Sequence, residues 1–535
     1  MKELNTQTLA HLCLSASAKY KDKPAFAMLS EGKICRKFTY TQMGELSSQI
    51  GSLLKRLGVE NGDTVLLFSE NSPEWALAYF GIALSGAVSV PLLTGFSPDQ
   101  IQNIIEHSNV SAICTSLIMS EKIKHIADLP LIYIDTIIED KISISINGNM
   151  QQITMPLAGC SIPSGGCNDL ASIIYTSGTQ GNNKGVMLSG KNLISSALSS
   201  LTFLKMYPRD RFLSVLPLAH SYECGLGLLA PVISGASITY LDKPPSVSVL
   251  LPAFKLIRPT AMFSVPLLIE KIYANAIAPK LKANKLYNIP LTRNLAIRVA
   301  GRKLIGALGG RIRMFGIGGA PLSPEVEKFL VHARFPFSIG YGLTEAAPLV
   351  AGHSPLRFTS GLNAPRGVSV RIVKNEANAE TGEIQVKGPN VMMGYYKDSE
   401  RTAETLTADG WLKTGDLGRI DNKGRVHIKG RIKALILGPS GENIYPEEIE
   451  GLLGSSGLVE DALVYSGEKG ELIAIVSLSE AAKAAAGAVE QALEDLRSWV
   501  NKKLAVFSRV SRIQIKYEPF EKTPTMKIKR YLYST

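Results

Sequence analysis

The sequence predicts an α/β fold: a large N-terminal domain of parallel-rich sheets flanked by helices, followed by a small α+β C-terminal lid. Three observations predict it. Apolar runs of strand length alternate with longer helical stretches over most of the chain. The rhythm changes near residue 430, at a polar turn. A chain of 535 residues also exceeds what one hydrophobic core usually serves.

The first element is a run at 63–69, Asp63-Thr-Val-Leu-Leu-Phe-Ser69, with the composition of a buried strand. Ser72-Pro73 then supplies a helix cap and a proline at the first helical position, and residues 87–90 form the next strand after Gly86. Together they predict a βαβ unit. Further strands are expected at 173–175, 212–215, 237–241 and 262–265, with helical stretches before the last and after Pro266. Asp421-Asn-Lys-Gly424 reads as a turn and 425–428 as a strand, so the domain boundary is placed at 430, giving domains 1–430 and 431–535. In the second, 446–452, 461–465, 472–478 and 488–504 alternate helix and strand patterns.

Composition limits the classes of function. Hydrophobic residues make up 45% and charged residues 19%, a globular balance that excludes disordered and fibrous proteins. Met1-Lys2-Glu3-Leu4-Asn5 does not lead into the apolar run of a signal peptide, and the apolar stretches 79–93 and 225–241 are interrupted and too short to cross a bilayer. The six cysteines form no CxxC pair, which disfavours a disulfide scaffold or zinc site and fits a reducing cytoplasm. Of the net charge of +12, residues 255–313 contribute +11, with twelve Lys and Arg against the single acid Glu270. That segment reads either as a solvated helical face or as a surface for an acidic partner: CoA phosphates, an acyl carrier protein, or the anionic inner face of a membrane with the protein peripheral to it. Nucleic acid is the least expected partner.

The strongest local signal is Tyr175-Thr-Ser-Gly-Thr-Gln-Gly-Asn-Asn-Lys-Gly185, a glycine- and hydroxyl-rich loop after an apolar strand. Gly178 and Gly181 let backbone N–H groups approach oxyanions, the hydroxyls of Thr176, Ser177 and Thr179 add donors, and Lys184 adds positive charge. A Walker loop is excluded, because Lys184 follows Asn183 and precedes Gly185, where GxxxxGK[ST] needs Gly before and Ser or Thr after.

This loop resembles the phosphate-binding signature YTSGTTGxPKG of adenylate-forming enzymes. Further matches follow in that family's order: Leu216-Pro-Leu-Ala-His-Ser-Tyr-Glu223, Gly318-Gly-Ala-Pro321, Tyr341-Gly-Leu-Thr-Glu345, Gly410-Trp-Leu-Lys-Thr-Gly-Asp416, Gly430-Arg-Ile-Lys433, Gly441-Glu-Asn-Ile-Tyr-Pro-Glu-Glu-Ile-Glu450 and Pro524-Thr-Met-Lys-Ile-Lys-Arg530. The resemblance runs from 175 to 530 and is strongest to long-chain fatty-acyl-CoA synthetases. It implies that a fatty acid is activated with ATP and Mg²⁺ to an acyl-adenylate, then transferred to CoA.

By the same resemblance Lys527, Thr344 and Glu345 are catalytic: Lys527 stabilises the transferring oxygens, Thr344 holds the α-phosphate and Glu345 places the metal. Tyr341 and Gly342, with Gly319, Ala320 and Pro321 opposite, enclose adenine. Asp416 accepts from the ribose hydroxyls with Arg431 nearby, His220 borders the acyl pocket, Lys433 is the hinge of a mobile lid, and Gly441 approaches the pantetheine arm. Taken singly, Tyr341 reads as core packing, His220 as a satisfied core histidine and Lys527 as part of a solvated basic tail. Gln180 and Asn183 replace the usual Thr and Pro of the loop, and Met526 replaces Gly before the lysine, a form typical of the long-chain branch. Three other readings remain open: an acyl-acyl carrier protein ligase, a catalytically silent acyl or nucleotide sensor, and a luciferase-type oxygenase.

Overall fold

The computed structural model describes residues 7–533 except 124–128, 139, 158–162, 178–182, 356–360, 375–379, 438–442, 468–469, 480–481, 484–488 and 524–526. Two large sheets dominate. In the nine-stranded sheet the central strands Val88–Pro91, Thr64–Phe68, Val110–Thr115 and Leu131–Ile138 run parallel, as the βαβ pattern requires. Its flanks are antiparallel, through Leu170–Ser177 with Asn183–Ser189 on one side and Lys141–Ile146 with Asn149–Thr154 on the other. The eight-stranded sheet is parallel across Ser237–Leu241, Arg211–Leu213, Ala261–Ser264, Met314–Ile317 and Phe337–Gly342, and closes at each edge with an antiparallel strand.

The helix between the first two parallel strands, Pro73–Ser85, starts where the Ser72 hydroxyl accepts from the Trp75 amide at 3.0 Å. All but one of its residues are buried, so it is apolar all round instead of striped. Helix Gly190–Phe203, capped reciprocally by Ser189 and Asn192, is buried from Asn192 to Ser200. One continuous core therefore joins residues of both large sheets.

The strand expected at 425–428 is Val426–Arg431, and it belongs to a third sheet whose other members the sequence did not reveal: Ser369–Val373, Gly382–Lys387 and Leu412–Ile420, all pairing antiparallel. After it, strands Val459–Ser466, Leu472–Leu478 and Val510–Ile515 pack with helices Pro446–Gly454 and Val489–Asn501 around a separate core from Ile444 to Val510. Among the described residues, no helix is long and apolar enough to cross a membrane.

Candidate functional site

The site begins at a hairpin. Leu170–Ser177 and Asn183–Ser189 are paired so that Thr176 faces Lys184 across the ladder. Gly178, Thr179 and Gly181, which join these strands, lie outside the described residues, as does the side chain of Ser177. The Lys184 ammonium leaves the hairpin to meet the Glu345 carboxylate at 2.6 Å and the Tyr395 hydroxyl at 2.9 Å, sitting 4.6 Å above that ring. Tyr395 in turn donates to Glu345 at 2.9 Å. Burial opposes both charges, but each supports the other: Glu345 holds the Lys184 ammonium above its ordinary range, and Lys184 keeps the Glu345 carboxyl below its own. Beside them the Thr176 hydroxyl is buried with no partner among the described residues. A buried orphan donor beside a lysine fits an incoming phosphate oxygen.

Tyr341 ends strand Phe337–Gly342, and the chain turns at once into Thr344–Ala346. Gly342 is required there, since a Cβ would lie 2.0 Å from the Pro348 carbonyl oxygen. The turn buries Thr344 and Glu345, with the Thr344 hydroxyl 3.2 Å from that of Ser221. His220, next to Ser221, is half-buried and accepts from the Tyr222 amide at 3.1 Å. Burial and then the charge of Lys527 push its imidazole down to about 4, so it is neutral near pH 7. Gly319, Ala320 and Pro321 follow strand Met314–Ile317, with Gly319 at φ +86°. Their neighbour Gly318 lies against Gly340, one residue before Tyr341.

On the third sheet Asp416 faces Arg431 in register. The Arg431 guanidinium donates to one carboxylate oxygen at 2.7 Å and the Tyr341 hydroxyl to the other at 2.5 Å, while the Asp416 amide bonds the Thr414 hydroxyl at 3.0 Å. Burial raises the Asp416 carboxyl more than Arg431 lowers it. Lys527 keeps exposed surface, yet the protein around its ammonium, followed by Arg431, depresses its pKa; Asp416, Glu447 and Glu345 act in the opposite direction.

The structure thus pairs Thr176 with Lys184, Lys184 with Glu345, and Tyr341 and Arg431 with Asp416, sets Thr344 beside Ser221, the neighbour of His220, and leaves Lys527 within electrostatic reach of His220, Asp416 and Glu345. Lys433 is exposed in the turn Ile432–Ala434, and Gly441 lies outside the described residues. Two contributors went unread in the sequence. Ser221 stood inside a recognised motif but was overshadowed by His220. Tyr395 belongs to a two-residue strand that pairs with Val186 and Met187, too short to give any periodic signal. Among the described residues no cluster of three His, Cys, Asp or Glu could hold a metal by itself. The single carboxylate of Glu345 fits Mg²⁺ shared with substrate phosphates instead, because that ion keeps several waters and few protein ligands.

Comparison with known proteins shows the family and the fold. The family described as AMP-binding enzyme matches residues 14–396. The peroxisomal long chain acyl-CoA synthetase 7 of Arabidopsis thaliana is 32% identical over 496 residues, covering 84% of this chain and 70% of that protein. The 4-coumarate–CoA ligase 1 of Petroselinum crispum is 28% identical over 542 residues, covering 97% and 92%. In fold, the chain resembles the o-succinylbenzoate CoA synthetase of Bacillus subtilis solved with its acyl-adenylate intermediate: TM-score 0.77 at 24% identity, covering 99% of both chains.

Proposed function

The chain belongs to the AMP-binding enzyme family, and from that premise we propose that it is an ATP-dependent, AMP-forming acid–CoA ligase acting on a medium- or long-chain fatty acid. One observation carries the reading: side chains from separate motifs meet at the site, Lys184 on Glu345 at 2.6 Å, Ser221 beside Thr344 at 3.2 Å, and Arg431 and Tyr341 on Asp416 at 2.7 and 2.5 Å. Chance would not bring two cations and two carboxylates from motifs so far apart in the chain into these contacts.

In this reading an oxygen of the fatty-acid carboxylate attacks the α-phosphorus of ATP, the bond to pyrophosphate breaks, and the acyl-adenylate remains. Lys527 stabilises negative charge on the transferring oxygens. Thr344 and the loop around Thr176 hold the phosphates, and Lys184 exchanges its Glu345 partner for a phosphate oxygen. Mg²⁺, when bound at Glu345, supplies charge neutralisation for the triphosphate. Asp416 takes the ribose hydroxyls and Tyr341 lies along the adenine. The CoA sulfur then attacks the acyl carbonyl, the bond to AMP breaks, and acyl-CoA leaves. His220, neutral at physiological pH, lines the acyl end without placing a charge there.

A fatty acid is favoured by the long-chain form of the Lys527 motif and by the similarity to a long chain acyl-CoA synthetase. A cytoplasmic protein whose segment 255–313 meets an anionic membrane face suits such a substrate. The second reading is transfer to an acyl carrier protein, which the same basic segment would attract. An ATP–pyrophosphate exchange panel over acids from acetate to oleate, repeated with CoA, tests both. Exchange should rise with chain length, since each buried CH₂ contributes ~0.8 kcal/mol. Exchange confined to aromatic acids would overturn the fatty-acid reading, and exchange with no acyl-CoA product would favour the carrier protein.

A further inference from the structure

Helix Pro290–Ala307 turns Ala296, Ile297, Gly301 and Leu304 into the core of the eight-stranded sheet. A helix of this kind should be polar on its other side. Here the outward face carries Leu291, 93% exposed, Leu295, 57%, and Val299, 41%, spaced four residues apart on one stripe. Arg298 and Arg302 fall on the same stripe and Lys303 beside it. The short helix Lys285–Asn288 before it adds exposed Leu286, and Ile289 follows, also exposed.

Single exposed apolar residues are ordinary. Five on adjoining elements, held in place, are not. The Thr292 hydroxyl donates to the Leu286 carbonyl at 2.7 Å, and Arg293 donates to the Tyr287 carbonyl at 3.0 Å with its guanidinium 5.5 Å over that ring. These bonds fix the short helix to the long one as a single surface. Lys280, Lys282, Lys285, Arg298, Arg302 and Lys303 make no ion pair among the described residues, and residues 271–313 contain no acidic side chain at all.

We propose that this face, Leu286 to Lys303, docks on an anionic lipid surface. Exposed apolar side chains in a row between cations match the acyl–headgroup boundary: the apolar side chains enter it while Lys and Arg extend to the phosphates. An acidic protein would satisfy the cations but leave Leu291 without a pocket. The inference deepens the fatty-acid reading by naming the surface that supplies the acid, and its test does not depend on catalysis.

The test is co-sedimentation of the full chain with vesicles of phosphatidylcholine alone or mixed with phosphatidylglycerol, at low and high salt. The wild type should bind mixed vesicles at low salt and bind at least about tenfold less on neutral vesicles or at high salt. Arg298→Gln with Arg302→Gln should weaken binding roughly fivefold per cation. Leu291→Ser with Leu295→Ser should weaken it at both salt concentrations, with exchange activity on a water-soluble acid and the melting temperature unchanged. Equal binding by wild type and both double variants, binding indifferent to lipid charge, or binding only to an acidic carrier protein would each overturn the proposal. Lipid binding without fatty-acid activity would leave the docking face standing and remove the fatty-acid reading alone.

Discussion

Lys527 acts in one half of the proposed reaction only, which makes it separable by mutation. Lys527→Ala should abolish acid-dependent pyrophosphate exchange while thioester formation from a supplied acyl-adenylate continues; equal loss of both would remove the assigned role. The protein around its ammonium and then Arg431 lower its pKa, so the charged form that adenylation needs is lost, as pH rises, earlier than for a free lysine. The alkaline limb of the exchange rate should therefore fall below the ordinary lysine range and move upward in Lys527→Arg, whose guanidinium stays charged. Asp416→Ala should raise the apparent KM for ATP about 100-fold, from two hydrogen bonds to a charged acceptor at ~1.5 kcal/mol each, and it would also strand Arg431. An unchanged ATP requirement would take Asp416 out of the nucleotide site. These residues were legible because each sits in a motif with its own order and spacing. Tyr395 was not: its role as the bridge between Lys184 and Glu345 exists only after the strand carrying it is laid beside the hairpin.

The run at 225–241 read in the sequence simply as apolar, yet its first part is a π-helix, Glu223–Leu229, wound around a buried acid. Gly227 makes room for it, because a Cβ there would stand 2.4 Å from the Glu223 carboxyl carbon. One Glu223 oxygen accepts from the Ser214 hydroxyl at 2.5 Å, and the other has no partner among the described residues. Burial raises this carboxyl to about 8, against an ordinary value of 4.5. A raised folded pKa gives stability that is complete below the unfolded value and is lost as pH climbs through the folded one. Over that window, at ~1.4 kcal/mol per pH unit, the loss is on the order of 5 kcal/mol. Glu223→Gln keeps the Ser214 bond and removes the titration. Its melting temperature should exceed that of the wild type at pH 8.5 and match it near pH 4.5. A gap of the same size at both values would show that Glu223 does not titrate in this window.

At the scale of the whole molecule, local pattern reached the parallel strands but not their partners. Strand Pro24–Ser30 lies beside Ser237–Leu241, more than 200 residues away, and the antiparallel sheet 369–431 joins strands whose pairing decides which of their faces is buried. The last segment, with its own core, meets the rest partly through surface contacts: Lys271 to Glu460 at 3.4 Å, Lys429 to Glu448 at 3.1 Å and the hydroxyls of Thr381 and Tyr445 at 3.0 Å. Such contacts each contribute little, so rotation of this segment between the two half-reactions would break nothing expensive, and the proposed pivot is Lys433 in the turn Ile432–Ala434. A 3₁₀ turn already holds φ near the value that proline imposes. Lys433→Pro should therefore preserve the present pose, in which Lys527 acts at Asp416 and Glu345, and bar the other. Pyrophosphate exchange should stay within about twofold of wild type, while single-turnover transfer of a preformed adenylate to CoA falls at least about tenfold, the scale of a lost conformational step. Transfer at the wild-type rate would mean that residue 433 is not the pivot, and loss of exchange as well would mean that the present pose itself depends on freedom there.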